Sequence, residues 1–444
     1  VFFGLTIKAF SQEKIDDIEV IGISPLPGIE IDRNKVPNAS QSLQEIDMNN
    51  STATTIVDLL GEKLTGVTIK DVQNSPFQKN LDYRGFTAAP LLGESQGLAV
   101  YLNGTRINEG FGDTLQWELV PEAALTNIDL MSANPVFGLN ALGGSLALTT
   151  KKGLDYLNTD SSIENHFEVG GADWVNGNIE LGAGTETQGL YVAMENSYDG
   201  GWRDNSAGDV KRLFVNYGIL GDNFDYDFTF MNADSNLNGN GVSPTELLKV
   251  RRESVFTWPD FTSNKVYLAA SNANFYLEDD SAINTSIYYR RLIRDTMNAD
   301  ELDAEECAED NETHAEQMED DFGTADEPIC GEADGDNYEV LIDQYGNAIS
   351  NNDSIRKYGL LNHSSTMTVT WGGSAQYNIN TNYLDKMHNI IVGASIDKTR
   401  TAFHSRGELG QLHNNRTVTN LLNTEGGHIT LESIREHSGA DGGM

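Results

Sequence analysis

The sequence predicts a small α/β domain followed by antiparallel transmembrane strands of a β-barrel that the chain leaves incomplete. Three observations lead there. Hydrophobic content of 39%, with 43 glycines against 10 prolines, suits a β-rich chain with many turns and excludes a disordered one. No stretch approaches the roughly 18 uninterrupted apolar residues of a spanning helix, so membrane entry is open only to a closed barrel, in which every backbone polar group is paired. Beyond Ser161, apolar and polar residues alternate in segments separated by Gly, Asn and Asp turns.

Taken in chain order, Val1-Phe2-Phe3-Gly4-Leu5-Thr6-Ile7 is apolar and runs into Ala9-Phe10-Ser11, a small-x-small pattern like a signal-peptidase site. Residues 1–11 are therefore read as a signal-peptide remnant, with a plain buried strand as the alternative. Residues 12–50 are polar and irregular, and Pro25, Pro27 and Pro37 block long regular elements. Within them Ile15 to Ile23 alternates apolar and polar residues, the pattern of an extended segment able to add to the edge of another sheet.

Residues 51–153 read as a compact α/β unit. Thr54-Thr55 caps a short helix over Ile56 to Leu60, and Val67-Thr68-Ile69 follows as a strand. A second strand, Leu98 to Leu102, ends at Asn103-Gly104, a strong hairpin signal. A helix-like stretch over Pro121 to Leu125 leads into Ile128-Asp129-Leu130, and Leu146 to Thr150 closes the unit.

From 161 to 444 the period is two. Ile163, Phe167 and Val169 oppose Glu164, His166 and Glu168, and Tyr226, Phe228 and Phe230 oppose Asp225, Asp227 and Thr229. Ile283, Thr285, Ile287 and Tyr289 oppose Asn284, Ser286, Tyr288 and Arg290. Successive side chains of a strand point to opposite faces, and apolar-out, polar-in segments of about 10 residues are what a membrane barrel requires. A soluble β-sandwich alternates too. Long strands, aromatics near strand ends and the mixture of tight turns with long connections favour the barrel. Roughly nine such strands can be placed against the 22 or so of a large plugged barrel, and the polar stretch Arg435 to Met444 lacks a terminal aromatic strand. The chain is therefore expected to be part of a longer protein.

The net charge of −38 is unevenly distributed: Asp300 to Asp336 holds 17 acidic residues by count and no Lys or Arg. Such a surface excludes nucleic acid as a partner. Cys307 and Cys330 are the two cysteines and bracket that segment. Paired, they fit an oxidising compartment, where a clip of this loop length contributes about 3 kcal/mol; two free thiols are the alternative. Asp334-Gly335-Asp336-Asn337 is a partial calcium-loop echo without the required ligand spacing. No H-E-x-x-H, G-x-S-x-G, P-loop or dinucleotide fingerprint occurs, so no enzyme, cofactor or resident metal is expected.

The 51–153 unit resembles the plug domain of TonB-dependent outer-membrane receptors. Asp58-Leu59-Leu60 with Gly66-Val67 is similar to that family's early helix-to-strand element, Tyr83-Arg84-Gly85 to its arginine-glycine turn, and Val100 to Gly104 to its strand-turn. Ile128-Asp129-Leu130, Asn134-Pro135, Phe137-Gly138 and Ala141-Leu142-Gly143-Gly144, then Thr149-Thr150-Lys151, resemble the closing signature. Departures are Ala133-Asn134-Pro135 where Arg-Gly-Pro is commoner and Asp129 where Glu is usual. The resemblance implies a Gram-negative outer-membrane location, lipid around the barrel, and uptake of a ferric siderophore or other metal chelate driven by the TonB energy-transducing protein. It makes Ile18, Glu19, Val20, Ile21 and Gly22 the TonB box, Arg84 and Asp129 a plug latch, and Phe86, Thr87, Pro90, Leu91, Phe111, Asp113, Gln116 and Trp117 candidate ligand contacts. A structural or adhesive barrel, or a secreted carbohydrate-binding sandwich, remains the alternative function.

Overall fold

The computed structural model of the chain describes residues 20–22, 30–32, 38–132, 135–277, 281–307, 328–332, 338–352, 354–383, 386–422, 428–431 and 437–443. Two short strands come first, β1 (Val20–Gly22) and β2 (Glu30–Asp32), paired antiparallel with Ile21 opposite Ile31. The region expected to be irregular then contributes β3 (Ser40–Gln44) and a one-turn helix α1 (Glu45–Asn49). Its polar side chains hid the strand, because four of its five residues are not buried.

Helix α2 (Ile56–Lys63) starts where Thr55 Oγ1 accepts the Asp58 amide, and buries Ile56, Val57, Leu59 and Leu60. A three-stranded sheet follows: β4 (Val67–Lys70), β5 (Asn80–Tyr83) and β6 (Phe86–Ala88). The main sheet adds β7 (Leu98–Leu102), β8 (Thr105–Arg106), β9 (Leu125–Ser132) and β10 (Gly144–Thr150), in the order β3-β9-β10-β7-β8. β7 and β8 turn at Asn103 and Gly104, whose φ angles of 47° and 85° need residues tolerant of the left-handed region. All of β7 is buried. The helix-like stretch at Pro121 is only a 3-10 turn, Glu122–Ala124, returning at once to strand β9.

From Ser162 the chain forms one large antiparallel sheet of consecutive neighbours: β11 (Ser162–Val169), β12 (Val175–Gly184), β13 (Gln188–Asp199), β14 (Gly208–Leu220), β15 (Phe224–Asn238), β16 (Asp260–Tyr276) and β17 (Ala282–Leu302). A small separate sheet intervenes, β18 (Ala304–Glu306), β19 (Ile329–Glu332) and β20 (Tyr338–Val340), before β21 (Tyr358–Tyr383) and β22 (Lys386–Leu412) resume the wall. Short strands β23 (Val418–Asn420), β24 (Thr430–Leu431) and β25 (His437–Gly443) pair with β22. Among the described residues the nine long strands β11–β17, β21 and β22 match the roughly nine expected; the three short pieces β23–β25 carry too little alternation to be read from sequence. β21 and β22 have 26 and 27 residues, far more than the roughly 9–11 that cross a bilayer. Among the described residues no strand pair joins β11 to the far side of the sheet.

The wall is inverted relative to a soluble sandwich. On β13, Leu190, Met194 and Tyr198 are 43%, 50% and 42% exposed, whereas Glu195, Ser197 and Asp199 at the alternate positions are buried. Ile163, Phe167, Ile287 and Trp371 also face outward, and Asn216, Asp227, Asn264, Asn284 and Arg290 face inward. Exposed apolar and buried polar sides on the same strands are the signature of a lipid-facing barrel. Met194→Arg, near mid-strand on the outer face, is expected to cost about 2–4 kcal/mol of membrane-embedded stability, measured by urea unfolding from lipid vesicles; the outward-pointing but rim-proximal Tyr198→Arg should cost less.

Candidate functional site

The N-terminal domain sits against the polar inner face, and the seam between them is where charges collect. Its centre is Arg212 on β14, whose side chain is 2% exposed. Nε donates to the Glu118 carbonyl at 2.6 Å, Nη1 to Glu195 Oε2 of β13 at 2.8 Å, and Nη2 to Glu122 Oε1 at 3.0 Å. One guanidinium thus holds two points of the domain and one of the wall, a use of the planar fork that an ammonium cannot copy. Glu195 Oε1 also accepts the Ala123 amide at 2.9 Å. The Glu118 carboxylate reaches the wall separately, Oε1 accepting from Asn264 at 2.8 Å and Ser235 at 3.3 Å.

Further contacts line the same seam. Arg290 of β17 pairs with Glu109 at 2.5 Å, and Arg294 donates to the Pro90 carbonyl at 2.7 Å. Lys151 pairs with Glu180 at 2.6 Å, and that carboxylate also accepts the Tyr191 hydroxyl at 2.6 Å. Lys152 reaches Asp227 at 3.3 Å, and the Gly153 amide donates to Asn216 at 2.7 Å. Gly153 passes so close to β13 that a Cβ there would lie 2.2 Å from the Gly189 carbonyl oxygen; the crossing from domain to wall admits only glycine. Apolar contact completes the seam, since Tyr191, Phe214, Met231 and Val266 of the wall join Leu119, Val120 and Leu125 in one core.

The residues singled out from sequence are spread differently. Arg84 stands exposed at the β5–β6 turn with φ 53°, its guanidinium 5.0 Å from the centre of the Tyr83 ring, and makes no ion pair among the described residues. Asp129 is buried within the main sheet, where it accepts the Ser42 hydroxyl at 2.7 Å. The structure therefore does not bring Arg84 to a wall carboxylate; the charged contacts lie at Arg212, Arg290, Lys151 and Lys152. Glu118 and Glu122 were legible as carboxylates set in an apolar run, Leu115 to Leu125, where burial demands a partner. Arg290 already belonged to the polar face read from the alternation.

Of the eight candidate ligand contacts, Phe111 is exposed; its ring lies 5.8 Å from that of Phe403 on β22, beside exposed Leu92. Phe86, Leu91 and Asp113 are half-buried, and Asp113 is held by Arg106 and Asn140. Thr87 and Pro90 are buried. Gln116 donates to the Pro90 carbonyl at 3.3 Å, and Trp117, 1% exposed, donates its indole N–H to the Ala88 carbonyl at 3.0 Å. Between Phe111, Leu92, Arg294 and Thr366 lies a crevice of about 30 Å³.

Val20, Ile21 and Gly22 form β1, while Ile18 and Glu19 lie outside the described residues. The sulfur atoms of Cys307 and Cys330 lie 2.13 Å apart, joining the end of β18 to β19. The acidic residues 308–327 and the 334–337 segment lie outside the described residues.

An inner domain whose charges are seated on the polar face of an outward-apolar wall is the arrangement of a plugged barrel, and the comparisons match that fold. The family model of the TonB-dependent Receptor Plug Domain matches residues 32–145. Residues 32–145 thus match the plug domain of TonB-dependent receptors, and the strands that follow share the fold of such receptors' walls. The matched span includes β3, which pairs with β9 of the main sheet. Among solved structures, the ferric citrate transporter FecA in its unliganded form superposes with a TM-score of 0.59 at 14% identity, over 84% of this chain and 49% of that one. The ferripyoverdine receptor of the Pseudomonas aeruginosa outer membrane, bound to ferripyoverdine, gives 0.57 at 10% identity over 89% and 46%. The ferric yersiniabactin uptake receptor FyuA from Yersinia pestis gives 0.52 at 11% over 92% and 60%. These identities show a shared fold, and the chain spans about half the length of the receptors it matches. No curated protein matches the chain closely enough to name as a relative.

Two outcomes follow from the seam. Arg212→Ala strands three carboxylates or carbonyls at a buried site, and losing one member of a buried ion pair costs about 3–5 kcal/mol; plug seating, followed by limited proteolysis and urea midpoint, should drop accordingly, whereas Arg84→Ala should change neither. Burial, opposed weakly by Arg294 and by its bonds to Asn264 and Ser235, raises the Glu118 carboxyl above its ordinary value. A raised folded-state value means the folded protein binds the extra proton, so this group's contribution grows as pH falls from neutral and is lost as pH rises through its folded value. Glu118→Gln keeps an acceptor for Asn264 and Ser235 but removes the titrating group, and should flatten that pH dependence, read from urea midpoints across the range.

Proposed function

We propose that this chain supplies the plug and the first wall strands of a receptor that takes up a scarce nutrient across the Gram-negative outer membrane, most simply a ferric siderophore or other metal chelate. The observation that carries this is the seam: a folded domain fills the polar side of a lipid-facing sheet through ion pairs and hydrogen bonds. A wide barrel needs such a stopper because an open lumen leaks, and transport needs the stopper to shift. Polar contacts suit that role, since water entering the seam can replace them one by one, whereas a purely apolar joint offers no such exchange.

In this reading ligand meets the protein on the side of the long connections, at the Phe111, Leu92 and Phe403 aromatic-apolar patch beside Arg294. Residues 18–22 form the TonB box, and TonB engages it by strand addition, for which an extended segment offers unpaired backbone donors and acceptors. β1 is already paired with β2 along one edge, so TonB either takes the other edge or displaces β2. The receptor carrying this chain, with residues 18–22 deleted, is expected to keep chelate binding at the cell surface and lose energised uptake, measured with radiolabelled ferric chelates in iron-limited cells. Undiminished uptake would overturn the proposal, and absence of any chelate binding would point to the adhesive alternative.

A further inference from the structure

The inner face of the wall is not uniform. On β12 to β15 it presents charges, and the plug is pinned to them: Lys151 on Glu180, Glu122 on Arg212 beside Glu195, and Lys152 on Asp227. On β16, β17 and β21 the inward positions between Arg290 and the short-turn end carry no charge. Hydroxyls and amides stand there instead, among them Asn272, Asn274, Ser286, Asn284, Ser374 and Asn378. Charge returns at the margins of this stripe. Arg290 holds Glu109 above it, Asp397 of β22 accepts the Tyr288 hydroxyl beside it, and Asp225 of β15 closes its lower end. We propose that, of the wall strands in this chain, this neutral stripe is the lane along which a hydrophilic solute passes to the short-turn, periplasmic end when the plug shifts. The lane deepens the uptake reading and rests on it.

Unpaired groups mark the stripe. Asn272 Oδ1, Ser286 Oγ and Asn378 Oδ1 have no hydrogen-bond partner, although the three residues are 3%, 3% and 7% exposed. A buried polar atom left unpaired is unfavourable, and a passing hydroxyl or amide recovers that loss. At the short-turn end a ladder of amides crosses four strands. Asn378 Nδ2 donates to Asn284 Oδ1, Asn284 Nδ2 to Asn274 Oδ1, and Asn274 Nδ2 to Asp225 Oδ1 at 2.7 Å. A side chain bonded sideways to its neighbour lies along the wall rather than across the lumen, so the exit is held clear.

The chemistry of passage favours the same strands. Conduction needs contacts favourable enough to admit a solute and weak enough to release it. Neutral hydroxyls and amides meet that need for a charged or an uncharged solute, whereas the buried carboxylates and guanidinium of β12 to β15 would repel it or hold it. Separation favours them too. The plug has ion pairs to break along β12 to β15, and an uncharged stripe offers it none, so a gap between plug and wall opens first over β16, β17 and β21. The upper end of the stripe lies beneath Arg290 and Arg294, next to the Phe111 patch where ligand meets the protein.

Cysteine accessibility in the receptor that carries this chain tests the lane. Cys307 and Cys330 are joined to each other, and the unsubstituted receptor gives the blank. Ser286→Cys and Asn378→Cys sit in the stripe, and Thr229→Cys on β15, at 2% exposure, is an equally buried position on the charged side. Whole cells are treated with a polar maleimide small enough to pass porins, with the inner membrane energised or collapsed by a protonophore. Radioiron uptake is followed from ferric citrate and from the spent medium of iron-starved cells. In energised cells both stripe cysteines should be labelled about tenfold faster than Thr229→Cys, the factor set by one more charge-assisted hydrogen bond to break. Collapse of the membrane energy should protect all three. The adduct at either stripe position should abolish uptake and spare radioiron binding at the cell surface. Equal labelling on both sides, faster labelling of Thr229→Cys, or undiminished uptake by the labelled stripe variants would overturn the lane alone. An unsubstituted receptor that takes up no radioiron from either source would overturn the transport reading, and the lane with it.

Discussion

Lipid leaves a backbone no water to bond with, and that constraint shapes everything else in this chain. It requires strands paired to their neighbours, which the long ladders of β13 to β22 provide. It also requires apolar side chains on the outer face, and because side chains alternate, the polar residues of each strand are sent inward. A polar inner face is then unable to accept a purely apolar stopper. The plug answers with acids and bases of its own, Glu109, Glu118 and Lys151 buried and Glu122 and Lys152 half-buried, each meeting a complementary group of the wall.

Such a seam is stable without being permanent. Its apolar part, with Tyr191, Phe214 and Leu125 in a common core, supplies non-directional attraction. Its charged part adds specificity of position, since a shift of a few ångströms leaves Arg212, Glu195 and Glu122 buried and unpaired at once. That sensitivity favours two discrete states, seated and released, over a gradual loosening. In the proposed uptake cycle, movement of the plug would therefore meet a physical threshold, set by how many buried pairs separate together.

Much of this was legible in the residues. The two-residue period over Ile283 to Arg290 already told which side each residue takes, and burial follows it: Asn284, Ser286 and Arg290 are enclosed while Ile287 and Tyr289 are exposed. The plug strands announced themselves through Asn103-Gly104 and Gly143-Gly144. Strand β3 did not, because an amphipathic strand of Ser, Gln and a single buried Leu43 acquires its partner only from β9, nearly ninety residues on. The seam contacts were half legible for the same reason. A carboxylate in an apolar run shows that a partner exists, but only the three-dimensional register of β13 and β14 shows that the partner is Arg212. Trp117, set beside polar neighbours in sequence, suggested a ligand platform; its position under β6 instead spends its indole on the Ala88 carbonyl.

The claim at the centre is that plug and wall are coupled through the Arg212 cluster rather than merely packed together. A double-mutant cycle on Arg212→Ala and Glu122→Gln, read as urea unfolding free energies of the lipid-embedded receptor that carries this chain, isolates that coupling from the loss of each side chain alone. The account predicts a coupling energy of about 0.5–3 kcal/mol, the range for residues sharing one buried network. Effects that add to within about 0.3–0.5 kcal/mol, as for independent sites, would contradict it.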